Sequence, residues 1–133
     1  MIINEHNYVD EAEKIVLSLS QRTAKKDGKE FRVPMVTTSK LRNLLAMTSD
    51  IYNIVLPLQN DRLSDEIIGR IEYLRIRFVY EAGREPKVKE LVEAAHILNI
   101  IKEINGSRKN YILFNRYMES IVAFRKFYGG KDE

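Results

Sequence analysis

The chain has 133 residues, 44% of them hydrophobic and 31% charged, which fits one soluble globular domain and excludes two full-sized ones. A compact chain of this length has a radius of gyration of roughly 14 Å, too small for a deep cleft between lobes, so function is expected on a surface. The absence of cysteine removes disulfides, thiolate metal sites and cysteine nucleophiles, and a net charge of +3 from 22 basic and 19 acidic residues does not by itself announce nucleic acid.

Three prolines and six glycines, nearly all at segment edges, predict an all-α fold, a single compact bundle of about five helices spanning 1–133 as one domain. In a first helix over 7–25, Tyr8, Ala12, Ile15 and Leu19 fall within one arc at 100° per residue. Residues 25–36 mix charge with Gly28 and Pro34 and show no helical period, which reads as a basic linker free to move; with the first helix it makes up a segment 1–36. Thr37-Thr38 supplies an N-cap for a second helix over 38–57, with Leu41, Leu44, Leu45, Thr48, Ile51, Tyr52 and Val55 as its core stripe and Pro57 at its end.

The third helix, 62–83, places Leu63, Ile67, Ile71, Leu74 and Phe78 on one side, and Gly83 offers a left-handed C-terminal residue. A fourth, 86–105, starts at Pro86, is apolar over a wide arc, and stops at Asn105-Gly106; it is expected to be the most buried element. The fifth, 108–128, buries Leu113, Phe114, Tyr117, Met118, Ile121 and Phe124 before Gly129-Gly130. The start of the chain lacks a basic region followed by an apolar stretch, and no run nears the ~20 apolar residues of a membrane span, so no membrane contact and a cytoplasmic location are expected.

A search for chemistry finds little. Glu93-Ala94-Ala95-His96 carries the Glu-x-x-His spacing of carboxylate-bridged metal bundles, but such sites need a second pair and two more glutamates on facing helices, and the other histidine is His6, near the terminus. Asn105-Gly106-Ser107-Arg108-Lys109 has neither the spacing of a phosphate-binding loop nor a preceding strand. Asp65-Glu66 stands where acids complement a helix dipole, and no serine sits in a nucleophile elbow. No catalytic residue, metal or cofactor is therefore expected, and the protein is not read as an enzyme.

Arginines and aromatics remain. Arg70, Arg77 and Arg84 recur every seven residues on the third helix and form one stripe flanked by Tyr73 and Tyr80, chemically suited to a phosphate backbone unless local acids such as Glu66, Glu72 and Glu81 neutralise it. On the second helix Arg42, Ser49 and Asn53 share the face opposite the apolar stripe, which Lys40 flanks. Arg75 and Arg125 fall within the apolar arcs of their helices, as structural hydrogen-bond hubs or as contacts to another molecule.

Three strings together, Thr38-Ser39-Lys40-Leu41-Arg42-Asn43, Tyr80-Glu81-Ala82-Gly83-Arg84 and the run from Tyr117 to Gly130, resemble the small subunit of type III-A CRISPR effector assemblies, the Csm complexes. The resemblance covers a helical core at 37–130. It implies a non-catalytic helical subunit that stacks with copies of itself beside other Csm subunits and lines the channel holding guide RNA and target RNA, touching their backbone with basic side chains. Carried over residue by residue, it implies RNA contacts at Lys40 and Arg42 in the first string, Arg84 in the second and Lys126 in the third. Arg77 joins them because it shares the stripe of Arg84, and Phe127 and Tyr128 are candidates for contact with neighbouring subunits. The alternative is a helical protein-interaction or regulatory module, such as a homodimer, without RNA.

Overall fold

In the computed structural model, which describes residues 1–129, the apolar stripes become six helices, and the expected linker becomes a hairpin. In chain order these are α1 (Tyr8–Ser20), β1 (Thr23–Lys26), β2 (Lys29–Arg32), α2 (Thr38–Val55), α3 (Asp65–Arg84), α4 (Pro86–Ala94), α5 (Ile97–Ile104) and α6 (Arg108–Phe127). The fold is thus mostly helical but not strictly all-α, with a sixth helix where five are expected.

The hairpin corrects the reading of 25–36 as a linker without regular structure, and it also ends the first helix at Ser20 rather than at 25. Its turn is Asp27-Gly28, with φ of 55° and 77°, the backbone that a tight two-residue connection between twisted antiparallel strands requires. An isolated hairpin is marginal in water. This one is tied to the body at its base, where Arg22 donates to both oxygens of Glu90 on α4, at 2.7 and 2.6 Å, and from Nε to the Leu19 carbonyl. The Val33 amide closes the base by donating to the Arg22 carbonyl at 2.8 Å.

The expected helix over 86–105 is broken at His96, which takes a left-handed backbone with φ of 55° and separates α4 from α5. Histidine tolerates that region better than most side chains, and here it stays exposed while the chain turns. An acceptor at the break is satisfied from a distance, because the buried Tyr117 hydroxyl donates to the Ala95 carbonyl at 3.1 Å. Asn105 and Gly106, both at positive φ, end α5 as the sequence predicts. Gly83, by contrast, lies within α3, which runs on to Arg84 before Glu85 turns extended.

The stretch 86–105 is deeply buried, through Val88, Leu91, Val92, Ala95, Ile97, Ile100, Ile101 and Ile104, and α6 is buried to a similar degree. Helix α6 packs on α1, α2 and α5, and Tyr111, Phe114, Tyr117, Met118 and Ile121 are each almost wholly buried. Polar groups on its face toward α2 are paired: the Tyr111 hydroxyl donates to the Thr48 carbonyl at 2.6 Å, and Asn115 Oδ1 lies 2.7 Å from the Thr48 hydroxyl while its amide donates to Glu119. Arg108 at one end of α6 donates to the Leu56 carbonyl and Arg125 at the other donates to that of Val36, so α6 runs antiparallel to α2. Serine and threonine hydroxyls start three of the helices: Thr37 accepts from the Lys40 amide, Ser64 from Ile67 and Ser107 from Asn110.

Candidate nucleic-acid interface

The antiparallel packing of α2 against both α3 and α6 collects the start of α2 and the last turns of α3 and α6 at one end of the molecule. Lys40 stands in the first turn of α2, on the side facing α3. Its Nζ lies 3.2 Å from Glu81 Oε2 and 3.4 Å from Glu85 Oε1, with the lysine and Glu81 both largely covered. Arg84, one turn after Glu81, reaches the other oxygen of that carboxylate at 3.5 Å, and its guanidinium lies 5.8 Å from the centre of the Tyr80 ring. Glu81 therefore holds two of the candidate cations together, which sequence spacing alone does not reveal.

The other candidates are placed singly. Arg42 is exposed on the outer face of α2, away from Leu41 and Leu44. Lys126 is exposed in the last turn of α6, next to Arg125, whose bond to Val36 brings that turn beside the start of α2. Arg77 lies two turns before Arg84, exposed, and lines a groove of about 590 Å³ between α2 and α3 with Ala46, Met47, Asp50 and Tyr73. It makes no ion pair with a described residue.

The expected basic stripe on α3 is largely compensated. Arg70 faces Glu66 at 3.5 Å, Arg84 faces Glu81, and Arg75 donates to Glu72 at 2.8 Å on its own helix surface. Arg75 is thus a local ion pair, whereas Arg125 is half-buried and fixed to a backbone carbonyl, and burial pushes its pKa down. What the stripe does carry is apolar: Tyr73, Ile76, Val79 and Tyr80 are each more than half exposed on the outer side of α3, as is Phe127 at the end of α6. The two tyrosines flank the arginines as the sequence predicts, and Ile76 and Val79, whose spacing also sets them off the core arc, join them on that surface.

Among the described residues, no group of three or more His, Asp or Glu side chains is arranged to hold a metal ion, and no helix is long and apolar enough to cross a membrane. The surface is one that can meet anionic groups at one end and apolar partners along one helix.

A family model described as Csm2 Type III-A matches residues 14–131. The chain belongs to the Csm2 family. Relatives within it carry the name CRISPR system Cms protein Csm2. That of Streptococcus thermophilus is 44% identical over 131 residues, covering 98% of both chains. The one from Mycobacterium tuberculosis is 35% identical over 133 residues, all of both chains. A third, from Enterococcus italicus, is 35% identical over 95 residues, 70% of this chain and 68% of the relative. The Csm2 match reaches back into α1 and the hairpin, beyond the core at 37–130 on which the resemblance rests.

Proposed function

We propose that this chain is the non-catalytic small subunit of a type III-A CRISPR ribonucleoprotein, the Csm interference complex, acting in antiviral defence. In this reading the whole chain works as one domain. It stacks in several copies along the complex, touches other Csm subunits, and lines the channel of guide RNA and target RNA through basic contacts to their backbone. The observation that carries it is the gathering of Lys40, Arg84 and Lys126 at one end of a chain similar to Csm2 proteins over nearly its full length.

The physical demand is modest. A duplex already specified by base pairing needs a protein that follows phosphates and shape, not one that reads bases. Lys40 and Arg84 share their charge with Glu81 and Glu85, so one copy grips weakly, and several copies on one strand act together. Arg77 extends that surface along α3, and Arg42 adds a cation on the other side of the first turns of α2. The outer side of α3, with Tyr73, Ile76, Val79 and Tyr80, is the apolar area for a neighbouring subunit, and Phe127 adds to it at the end of α6.

That same apolar face favours a second reading, a homodimer or other helical interaction module whose arginines stay solvated. The two separate when the tagged protein is purified at low salt from its own host and weighed by native mass spectrometry before and after ribonuclease. A particle of several hundred kilodaltons, with several copies of this chain, larger proteins and a short RNA, is the expected result. A small, RNA-free particle from cells that express the neighbouring proteins overturns the RNA-lining reading and leaves the interaction module. Within the complex, neutralising Lys40, Arg42, Arg84 and Lys126 together is expected to lower bound RNA and flatten its salt dependence; unchanged RNA content removes those residues from the interface.

A further inference from the structure

Behind the start of α2, an open pocket of about 490 Å³ lies beneath the connection from β2 to α2. Its wall carries Arg32 from the hairpin, Lys87 from the first turn of α4 and Arg125 from the last turn of α6. These three come from distant parts of the chain. No carboxylate lines the wall among the described residues, and none of the three cations makes an ion pair with a described residue. The contrast with the nearby Lys40 and Arg84, which share Glu81, is one of charge balance: one cluster is neutralised by carboxylates of α3 and the other meets none among the described residues.

Two further features point the same way. Arg125 is held in place, since its Nε donates to the Val36 carbonyl at 3.0 Å, so its guanidinium needs no ordering when a ligand arrives. The beginnings of α2 and α4, with Thr37 and Lys87 in the wall, also bring the positive ends of two helix dipoles to the rim.

We propose that this pocket binds a phosphate group, with Arg125 as the fixed donor and Lys87 and Arg32 closing on it from the other walls. A tetrahedral oxyanion suits cations arriving from three directions, and the guanidinium fork suits two of its oxygens. The phosphate comes either from a nucleic-acid backbone or as the free ion. The site stands apart from the RNA-lining reading, because inorganic phosphate alone tests it.

The experiment uses the full chain labelled with 15N, titrated with inorganic phosphate against chloride at matched ionic strength. Saturable shifts are expected at the amides of Thr37, Lys87 and Arg125, with binding weakened by about tenfold or more in Lys87→Gln/Arg32→Gln, whose exposed side chains leave the fold intact. Arg125→Gln is expected to weaken it further, and the amide spectrum checks that this variant stays folded. A second arm adds a short oligouridylate: competition with phosphate for the same amides assigns the nucleic-acid source, and phosphate binding without competition assigns the free ion. Absence of saturable phosphate shifts, or equal affinity in the wild type and the Lys87→Gln/Arg32→Gln variant, overturns the site.

Discussion

Helices α3 and α6 are each twenty residues long, and each is started by a serine hydroxyl, yet they have opposite fates. α6 is wrapped by α1, α2 and α5, and seven of its residues are buried. α3 packs on α2, α4 and α5 along one stripe through Ile67, Ile71, Leu74, Phe78 and Ala82, and keeps four large apolar side chains on the outside. The difference teaches that apolar content and burial are separate properties. In α6 the apolar surface is consumed by folding, whereas on α3 a strip of it is left over for another molecule.

Substitutions that treat the two helices alike should expose the difference. The largest effect belongs to Phe114→Ala in α6, which empties a fully buried site and should cost about 3–5 kcal/mol, read as a lower denaturant midpoint at unchanged slope. Next comes Tyr111→Phe, which removes the second donor to the Thr48 carbonyl, a group already bonded within α2, for roughly 0.5–1.5 kcal/mol.

Tyr111 and Tyr117 also set an alkaline limit. Burial pushes both hydroxyls above their ordinary pKa of 10.0. The unfolded chain therefore releases these protons first. Their contribution to stability is whole below pH 10 and falls as pH rises beyond it toward the folded-state values. A pH series of melting curves should show that decline, and a shallower one in Tyr111→Phe.

Third, Ser64→Ala and Ser107→Ala should each cost about 1 kcal/mol, since both helices rely on the same cap; unequal losses would break the parallel between their starts. The smallest effect on the isolated protein is expected from Ile76→Ala with Tyr80→Ala on the outer side of α3, each within about 0.5 kcal/mol. The same pair should lower the copy number in the assembled particle. If it instead unfolds the chain, the outer strip belongs to the fold and the contrast between the helices fails.

Periodicity made most of the helices legible, because each has one stripe that the core consumes, and Thr37 was legible as a cap because threonine before a periodic run has few other uses there. The hairpin escaped for a physical reason. Its strands are exposed on nearly every residue, so no alternation of apolar and polar side chains marks them, and the one signal present, Asp27-Gly28, was outweighed by the charges around it. The break at His96 left no glycine or proline to read, since the Ala95 carbonyl there finds its partner in Tyr117, on another helix.

The candidate interface divides in the same way. That Lys40 and Arg42 lie on different sides of α2 follows from helical geometry and was visible in the sequence. That Glu81 ties Lys40 to Arg84 depends on how two helices cross. Arg32 and Lys87 carry no signal in the sequence, because a charge in a loop or at a helix start looks like any solvated charge until folding brings it beside others.

The hairpin has one more consequence, for behaviour at high concentration. A two-stranded sheet has two outer edges, each with amide and carbonyl groups that could pair with another chain. Here Lys25, Lys26, Lys29 and Arg32 supply four of the eight strand residues, so two such edges that approach each other meet like charges before they meet hydrogen-bond partners. Molecules crowded side by side are thereby kept from zipping together through their strands, and acetylation of those lysines would remove that guard.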